Sequence, residues 1–130
     1  MHKHEKHIIH RDLKPQNVLV AHHGDEDKIT IKLTDFGFSC NTITESKTKN
    51  ISCGTPTFMA PELLKKKVRN VTEKVDIWAV GVMIHYLLTG QYPFDYSEGG
   101  DDSRIIRTAI LNKKVKISTD LNPQAYHLVK

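Results

Sequence analysis

Residues 77–88 make the longest apolar run in the chain, interrupted by His85 alone. Twelve residues fall short of the roughly twenty that a bilayer-spanning helix needs, but they suit a helix inside a domain. Val75, Trp78, Ala79, Val82, Met83 and Leu87 recur at helical spacing, while Ile77, Val80, Ile84 and Leu88 fill the other side. A helix apolar all round is expected to be buried on every face. Thr72 can cap its start, and Gly90 followed by Pro93 can end it. The pattern therefore predicts a central buried helix over 73–88. Asp76 lies inside it, where an unpaired carboxylate would be costly, so Asp76 needs partners.

Two shorter patterns flank this post on the N-terminal side. Val18, Leu19 and Val20 read as one strand, and Ile29, Thr30, Ile31, Lys32 and Leu33 as a second with period-two alternation. Residues 22–27 are a turn, so the two strands form a hairpin. Antiparallel pairing places Asn17, just before the first strand, and Asp35, just after the second, at the same end. Residues 38–59 have little periodicity and much Ser, Thr, Asn and Lys; a loop of this length inside a domain is usually functional or disordered. A further helix is expected from Asp101, Asp102 and Ser103, with Ile105, Ile106, Ala109 and Ile110 on its inner face. Another begins at Asn122 and Pro123, with Ala125, Leu128 and Val129 on one face. Ile8 and Ile9 are the first apolar anchors, after a polar segment 1–7 that reads as the end of a helix.

Composition excludes several classes. The net charge is +4 with histidines neutral, and the apolar fraction is 38%. The lysine runs 65–67 and 113–116 have no interleaved aromatics to stack on bases, so they read as solvated surface and no nucleic-acid partner is expected. The N-terminal segment has no apolar core and is no secretory signal. No membrane association is expected. Cys40 and Cys53 are too few for a disulfide framework, which makes an intracellular setting, cytoplasmic or nuclear, the default. His2, His4, His7 and His10 sit in a polar segment at mixed spacing and read as a solvated helix end, not a metal site.

The chemistry is carried by His10-Arg11-Asp12-Leu13-Lys14-Pro15-Gln16-Asn17, with Asp35-Phe36-Gly37 following after the hairpin. Phosphoryl transfer to a hydroxyl needs a carboxylate to orient the hydroxyl, cations to hold phosphate charge, and oxygen ligands for magnesium. Asp12, Lys14, and the Asn17/Asp35 pair supply one of each. Asn17 and Asp35 are hard-oxygen donors of the kind that hold magnesium together with substrate phosphates.

These motifs, with Ala60-Pro61-Glu62 after them, resemble the eukaryotic-type Ser/Thr protein kinases. The resemblance implies an α+β fold: the large, C-terminal lobe of a kinase, mainly helical with a short β-hairpin. Residues 1–130 would then be a partial protein kinase domain, with its catalytic loop at 10–17 and its activation segment at 35–62. The glycine-rich loop, strand lysine and helix glutamate of the small lobe cannot fit in the nine residues before His10, so the small lobe is expected to be missing. The implied reaction is transfer of the γ-phosphoryl group of ATP to Ser or Thr of protein substrates, with ATP and Mg2+ bound. The alternative is a non-catalytic truncated lobe that serves as an interaction module.

Residue roles follow from the same resemblance. Asp12 orients the substrate hydroxyl. Lys14, two residues on, is similar to the lysine of Ser/Thr-specific kinases that contacts the transferred phosphate. Thr55 resembles the threonine that hydrogen-bonds Asp12 and Lys14, and Leu19 the floor under adenine. His10 packs under Phe36, Asp76 accepts backbone N–H bonds from residues 10 and 11, and Glu62 pairs with an arginine lying past Lys130. Arg11 is similar to the arginine that binds a phosphorylated residue of the activation segment. Ile51 holds the usual acceptor position, leaving Thr48 and Ser52 as the candidates. Cys53-Gly54-Thr55-Pro56 and the segment 58–62 look most like the calmodulin-dependent kinase group. Gln16 and Tyr86 are neutral where arginine-directed members carry carboxylates, and only the acidic run Asp95, Glu98, Asp101 and Asp102 offers compensation.

Overall fold

A computed structural model describes residues 8–22, 28–41, 53–65, 71–94, 102–112, 115, 117 and 121–129. Among these residues, four short strands and four helices follow one another in the order β1 (Ile8–Ile9), β2 (Val18–His22), β3 (Ile29–Leu33), β4 (Cys40–Asn41), α1 (Pro61–Leu64), α2 (Lys74–Thr89), α3 (Ser103–Asn112) and α4 (Pro123–Val129). Single 3-10 turns at Pro15–Asn17, Phe36–Phe38 and Pro56–Phe58 connect them.

The hairpin pairs antiparallel in one continuous register, from Val18 opposite Leu33 to His22 opposite Ile29. Its first strand runs two residues further than the pattern 18–20 implied, because His22 pairs instead of turning. The period-two alternation of β3 does not produce a buried face. Ile29, Ile31 and Leu33 are 61, 65 and 47% exposed. Val18, at the open end of the hairpin, packs against the core, whereas Leu19, Val20, Ile29, Ile31 and Leu33 face solvent on both sides of the sheet. A second pair joins β1 to β4, with Ile8 opposite Asn41 and Ile9 opposite Cys40. The pattern of 38–59 predicts loop throughout, and two paired residues are too few to show a period.

α2 is the central post, and its ends follow the capping chemistry. The Thr72 hydroxyl accepts from Lys74 N. Gly90 takes the left-handed conformation at φ 69° and donates its N–H to Tyr86 O. Burial of this helix differs from the expectation that it would be enclosed all round. Val75, Ala79, Val82, Met83 and His85 are buried, whereas Ile77 and Leu87 are 64 and 73% exposed and Leu88 is 47% exposed. Apolar composition made every face eligible for burial, but only the face met by other elements is covered.

That face divides the core into two clusters that meet at Trp78. One gathers Ile9, Leu63, Leu64, Val75, Phe94 and Ile110 with their neighbours. The other joins Leu13 and Phe58 to Ala79, Val82 and Met83. Pro61 sits in the first turn of α1, where its missing N–H costs nothing. α3 starts with Arg104 N bonded to Asp102 Oδ1 at 2.8 Å. Ile106, Ala109 and Ile110 form its inner face, while Ile105 lies at its edge, 36% exposed. Asn122 caps α4 through a bond from Ala125 N at 2.8 Å. Segment 1–7, most of the turn 22–27, the acidic residues Asp95, Glu98 and Asp101, the lysines 66, 67, 113, 114 and 116, and the side chains of Leu128 and Val129 lie outside the described residues.

Candidate active site

The segment 10–17 leaves the β1 strand and crosses the N-terminal end of α2, where Asp76 holds it. Asp76 Oδ2 accepts from His10 N at 2.8 Å and Oδ1 from Arg11 N at 2.9 Å. The carboxylate that looked out of place in an apolar helix thus satisfies two consecutive backbone donors. Those bonds also over-determine an unusual backbone: Arg11 has φ 67°. A non-glycine residue in that region stores about 1–3 kcal/mol and persists only where its surroundings fix it. The Arg11 side chain adds a third tie, donating from Nε to Phe38 O.

His10 is buried and its ring lies 4.8 Å from that of Phe36, tilted by 55°. Its Nε2 is 3.0 Å from Thr34 O, and its Nδ1 accepts from Asp12 N at 3.4 Å. A carbonyl can only accept, so the ring carries hydrogen on Nε2. The imidazole therefore bridges residues 10–12 to the end of β3.

Asp12 is the hub. It is 4% exposed, and its Oδ1 accepts from both the backbone N and the hydroxyl of Thr55, each at 2.9 Å. Oδ2 lies 2.8 Å from Lys14 Nζ. Lys14 in turn donates to Thr55 Oγ1 at 3.0 Å, closing a triangle of Asp12, Lys14 and Thr55. Burial alone would raise the Asp12 pKa, but the bonds from Lys14 and Thr55 and the charge of Lys14 outweigh it and hold the carboxyl below its ordinary value. Asp12 is consequently ionised at neutral pH.

Asn17 is buried beneath the same carboxylate. Its Nδ2 donates to Asp12 O at 2.8 Å and to Asp12 Oδ2 at 3.3 Å. Both partners are acceptors, which fixes the amide orientation and turns Oδ1 away from Asp12. Thr34 N donates to Asn17 O at 3.0 Å, so the open end of the hairpin brings Asn17 beside the segment that carries Asp35. Asp35 is exposed, adopts φ 59° and accepts from Gly37 N at 3.3 Å. Leu19 stands on β2, 52% exposed.

One residue here escaped functional assignment from sequence. Gly54 has φ 110°, and a Cβ placed on it would fall 2.6 Å from Arg11 O. It allows the segment entering Thr55 to touch the backbone of the 10–17 segment. The signal was present as the Gly immediately before Thr55, but only the approach itself reveals the need. Glu62 makes no ion pair among the described residues. Thr48, Ile51 and Ser52 lie outside them, as does any partner they provide for Arg11.

This arrangement can hold an ionised carboxylate and a lysine ammonium against one another, with neutral oxygen and carboxylate donors close by. A family model of the protein kinase domain matches residues 1–130. The chain belongs to the protein kinase domain family. It is 37% identical over 126 residues to an Aurora kinase of Eremothecium gossypii, covering 97% of this chain and 31% of that protein. It is 39% identical over 129 residues to human ribosomal protein S6 kinase alpha-3, covering 99% of this chain and 16% of that kinase. Identity to the human serine/threonine-protein kinase DCLK3 is 43% over 102 residues, 78% of this chain and 15% of that protein. The chain thus spans less than a third of each of these relatives. Ser/Thr kinase function is supported at the level of the family.

Proposed function

We propose that this chain supplies the catalytic half of a Ser/Thr protein kinase domain, transferring the γ-phosphoryl group of ATP to serine or threonine in protein substrates. The observation that carries the reading is the triangle of Asp12, Lys14 and Thr55. Asp12 accepts the hydrogen bond of the incoming hydroxyl and aims its oxygen. Its lowered pKa makes it a weak base, so orientation is its main contribution, as a loose phosphoryl-transfer transition state requires. Lys14 sits beside Asp12 as the cation for the transferred phosphate, and Thr55 holds both in place.

The donor set fits magnesium. Asn17 Oδ1 and the Asp35 carboxylate are hard oxygens, and two protein ligands suit an ion that keeps waters and substrate phosphates in its shell. When bound, magnesium neutralises developing phosphate charge. Leu19, apolar and exposed beside Asn17 on β2, offers a surface for the adenine ring.

In this reading the described residues are the large lobe, residues 10–17 the catalytic loop, and residues 35–62 the activation segment. The calmodulin-dependent kinase group fits the segment 53–62 best. Two cysteines without a disulfide framework suit an intracellular protein. The chain contains no Gly-x-Gly-x-x-Gly sequence to cover ATP phosphates. The 130-residue chain alone is therefore expected to give no detectable ATP-dependent phosphorylation, and a non-catalytic binding role remains the second reading for it in isolation. Joined to the small lobe of one of its relatives, it should phosphorylate a Ser/Thr peptide library with radiolabelled ATP. Asp12→Asn should lower that rate by about 10²–10⁴-fold. A fusion that is folded, binds ATP and stays inactive would overturn the proposal.

A further inference from the structure

The carboxylate of Asp12 has two sides. Its Oδ2 faces the Asn17 amide, at the end of the hairpin that carries Asp35, and its Oδ1 faces Thr55. In-line transfer keeps the attacking and departing oxygens on opposite sides of the transferred group. With the phosphates at the Asn17 and Asp35 end, a polypeptide that brings a hydroxyl to Asp12 crosses the Thr55 side.

On that side the chain leads straight to an aromatic cluster. The turn after Thr55 closes with Phe58 N bonded to Thr55 O at 3.0 Å, and Phe58 packs with Leu13, Val82 and Met83. Tyr92 meets the Phe58 ring at 78°, centroids 6.0 Å apart. Tyr86, one helical turn past Val82 and Met83 on α2, stacks on Tyr92 at 4.7 Å and 19°. Although paired, Tyr86 and Tyr92 remain 36 and 38% exposed. Exposed rings that continue a catalytic surface mark a place where a partner lies down.

We propose that Phe58, Tyr86 and Tyr92 form a substrate subsite that takes an aromatic side chain of the Ser/Thr peptide, about four residues from the acceptor. One 3-10 turn from Thr55 advances roughly 6 Å, and Tyr92 stands 6.0 Å beyond Phe58 between ring centroids. An extended peptide covers such a span in about four residues, at ~3.3 Å each. The three rings carry no charge, so an arginine docked on them gains no ion pair from them. An aromatic ring gains stacking beyond the area that it buries. The inference rests on the phosphoryl-transfer reading for the path of the peptide, and adds to it a class of substrate.

The chain has four tyrosines, so 13C labelling of their rings gives a short spectrum in which Tyr86→Phe and Tyr92→Phe each remove and assign one signal. Alanine-rich peptides with one serine, and one phenylalanine about three to five residues to either side of it, are titrated into the 130-residue chain. The best phenylalanine placement should move the Tyr86 and Tyr92 signals to saturation. It should bind about tenfold tighter than the same peptide with alanine there, and tighter than with arginine. Tyr86→Gln, a good helix former, should abolish that preference, whereas Tyr86→Phe should keep it. An arginine peptide that binds as tightly, or an undiminished preference in Tyr86→Gln, would overturn the proposal. Turnover by the small-lobe fusion separates the two readings. If the fusion phosphorylates the alanine-flanked serine and phenylalanine brings no gain and no shift of either tyrosine, the subsite falls and the transfer reading stands. A folded fusion that binds the phenylalanine peptide and ATP but phosphorylates nothing would sink the transfer reading, and with it the substrate role of the cluster.

Discussion

Asp12 combines deep burial with full satisfaction: two bonds from Thr55, the Lys14 ammonium and the Asn17 amide all converge on it. Because its folded pKa is lowered, the folded state holds the proton less tightly than the unfolded chain. Its contribution to stability is present above the ordinary value of 3.8 and is lost as pH falls through the lower folded value. Asp12→Asn should accordingly flatten the acid limb of a plot of urea midpoint against pH, and an unchanged limb would contradict the triangle. Gly54 and Gly90, the positive-φ glycines among the described residues, make a paired test of backbone strain. Gly54→Ala meets Arg11 O at 2.6 Å as well as an unfavourable φ, and should cost more than about 2 kcal/mol in urea unfolding. Gly90→Ala has open space around its Cβ, so only conformation opposes it, at about 1 kcal/mol. Sequence alone marked Gly90 through the helix stop but gave Gly54 no such duty. A cap is a local pattern, whereas a close approach between residues 11 and 54 is set by the tertiary fold.

Helix α2 and the segment 10–17 form one mechanical unit through Asp76. Asp76→Ala leaves His10 N and Arg11 N without acceptors, at about 1–3 kcal/mol for each buried donor. Hydrogen exchange should accelerate at those two amides ahead of the α2 interior, and Asp76→Asn should restore part of the protection at one of them. Equal exchange in wild type and Asp76→Ala would show that the segment is held by other means. This tie was legible in sequence because a carboxylate in an apolar helix demands partners, and the resemblance named them. The hairpin was legible for a different reason: its register follows from two apolar runs around a polar turn. The β1–β4 pair was not, since four residues carry no period and their pairing is decided by where the chain returns after β3.

Across the described residues the molecule exposes more apolar surface than its patterning suggested. Ile29, Ile31 and Leu33 on the hairpin and Ile77, Leu87 and Leu88 on α2 are all between 47 and 73% exposed. Patterning identifies which side chains are suited to a core, while burial depends on which elements arrive to cover them. Such faces are association-prone. Replacing Ile31 with Thr and Leu87 with Lys should change unfolding free energy by less than about 0.5 kcal/mol and lower the apparent mass by light scattering. A loss of stability well beyond that would mean these faces are covered in solution. The Asp12–Thr55 contact has a consequence of its own. Its partners stand 43 positions apart in the chain, so two of the bonds that aim the carboxylate form only when two remote stretches have met. The site behaves as a coincidence detector: anything that withdraws residue 55 removes two of the bonds that orient the carboxylate of residue 12 without touching residue 12 itself.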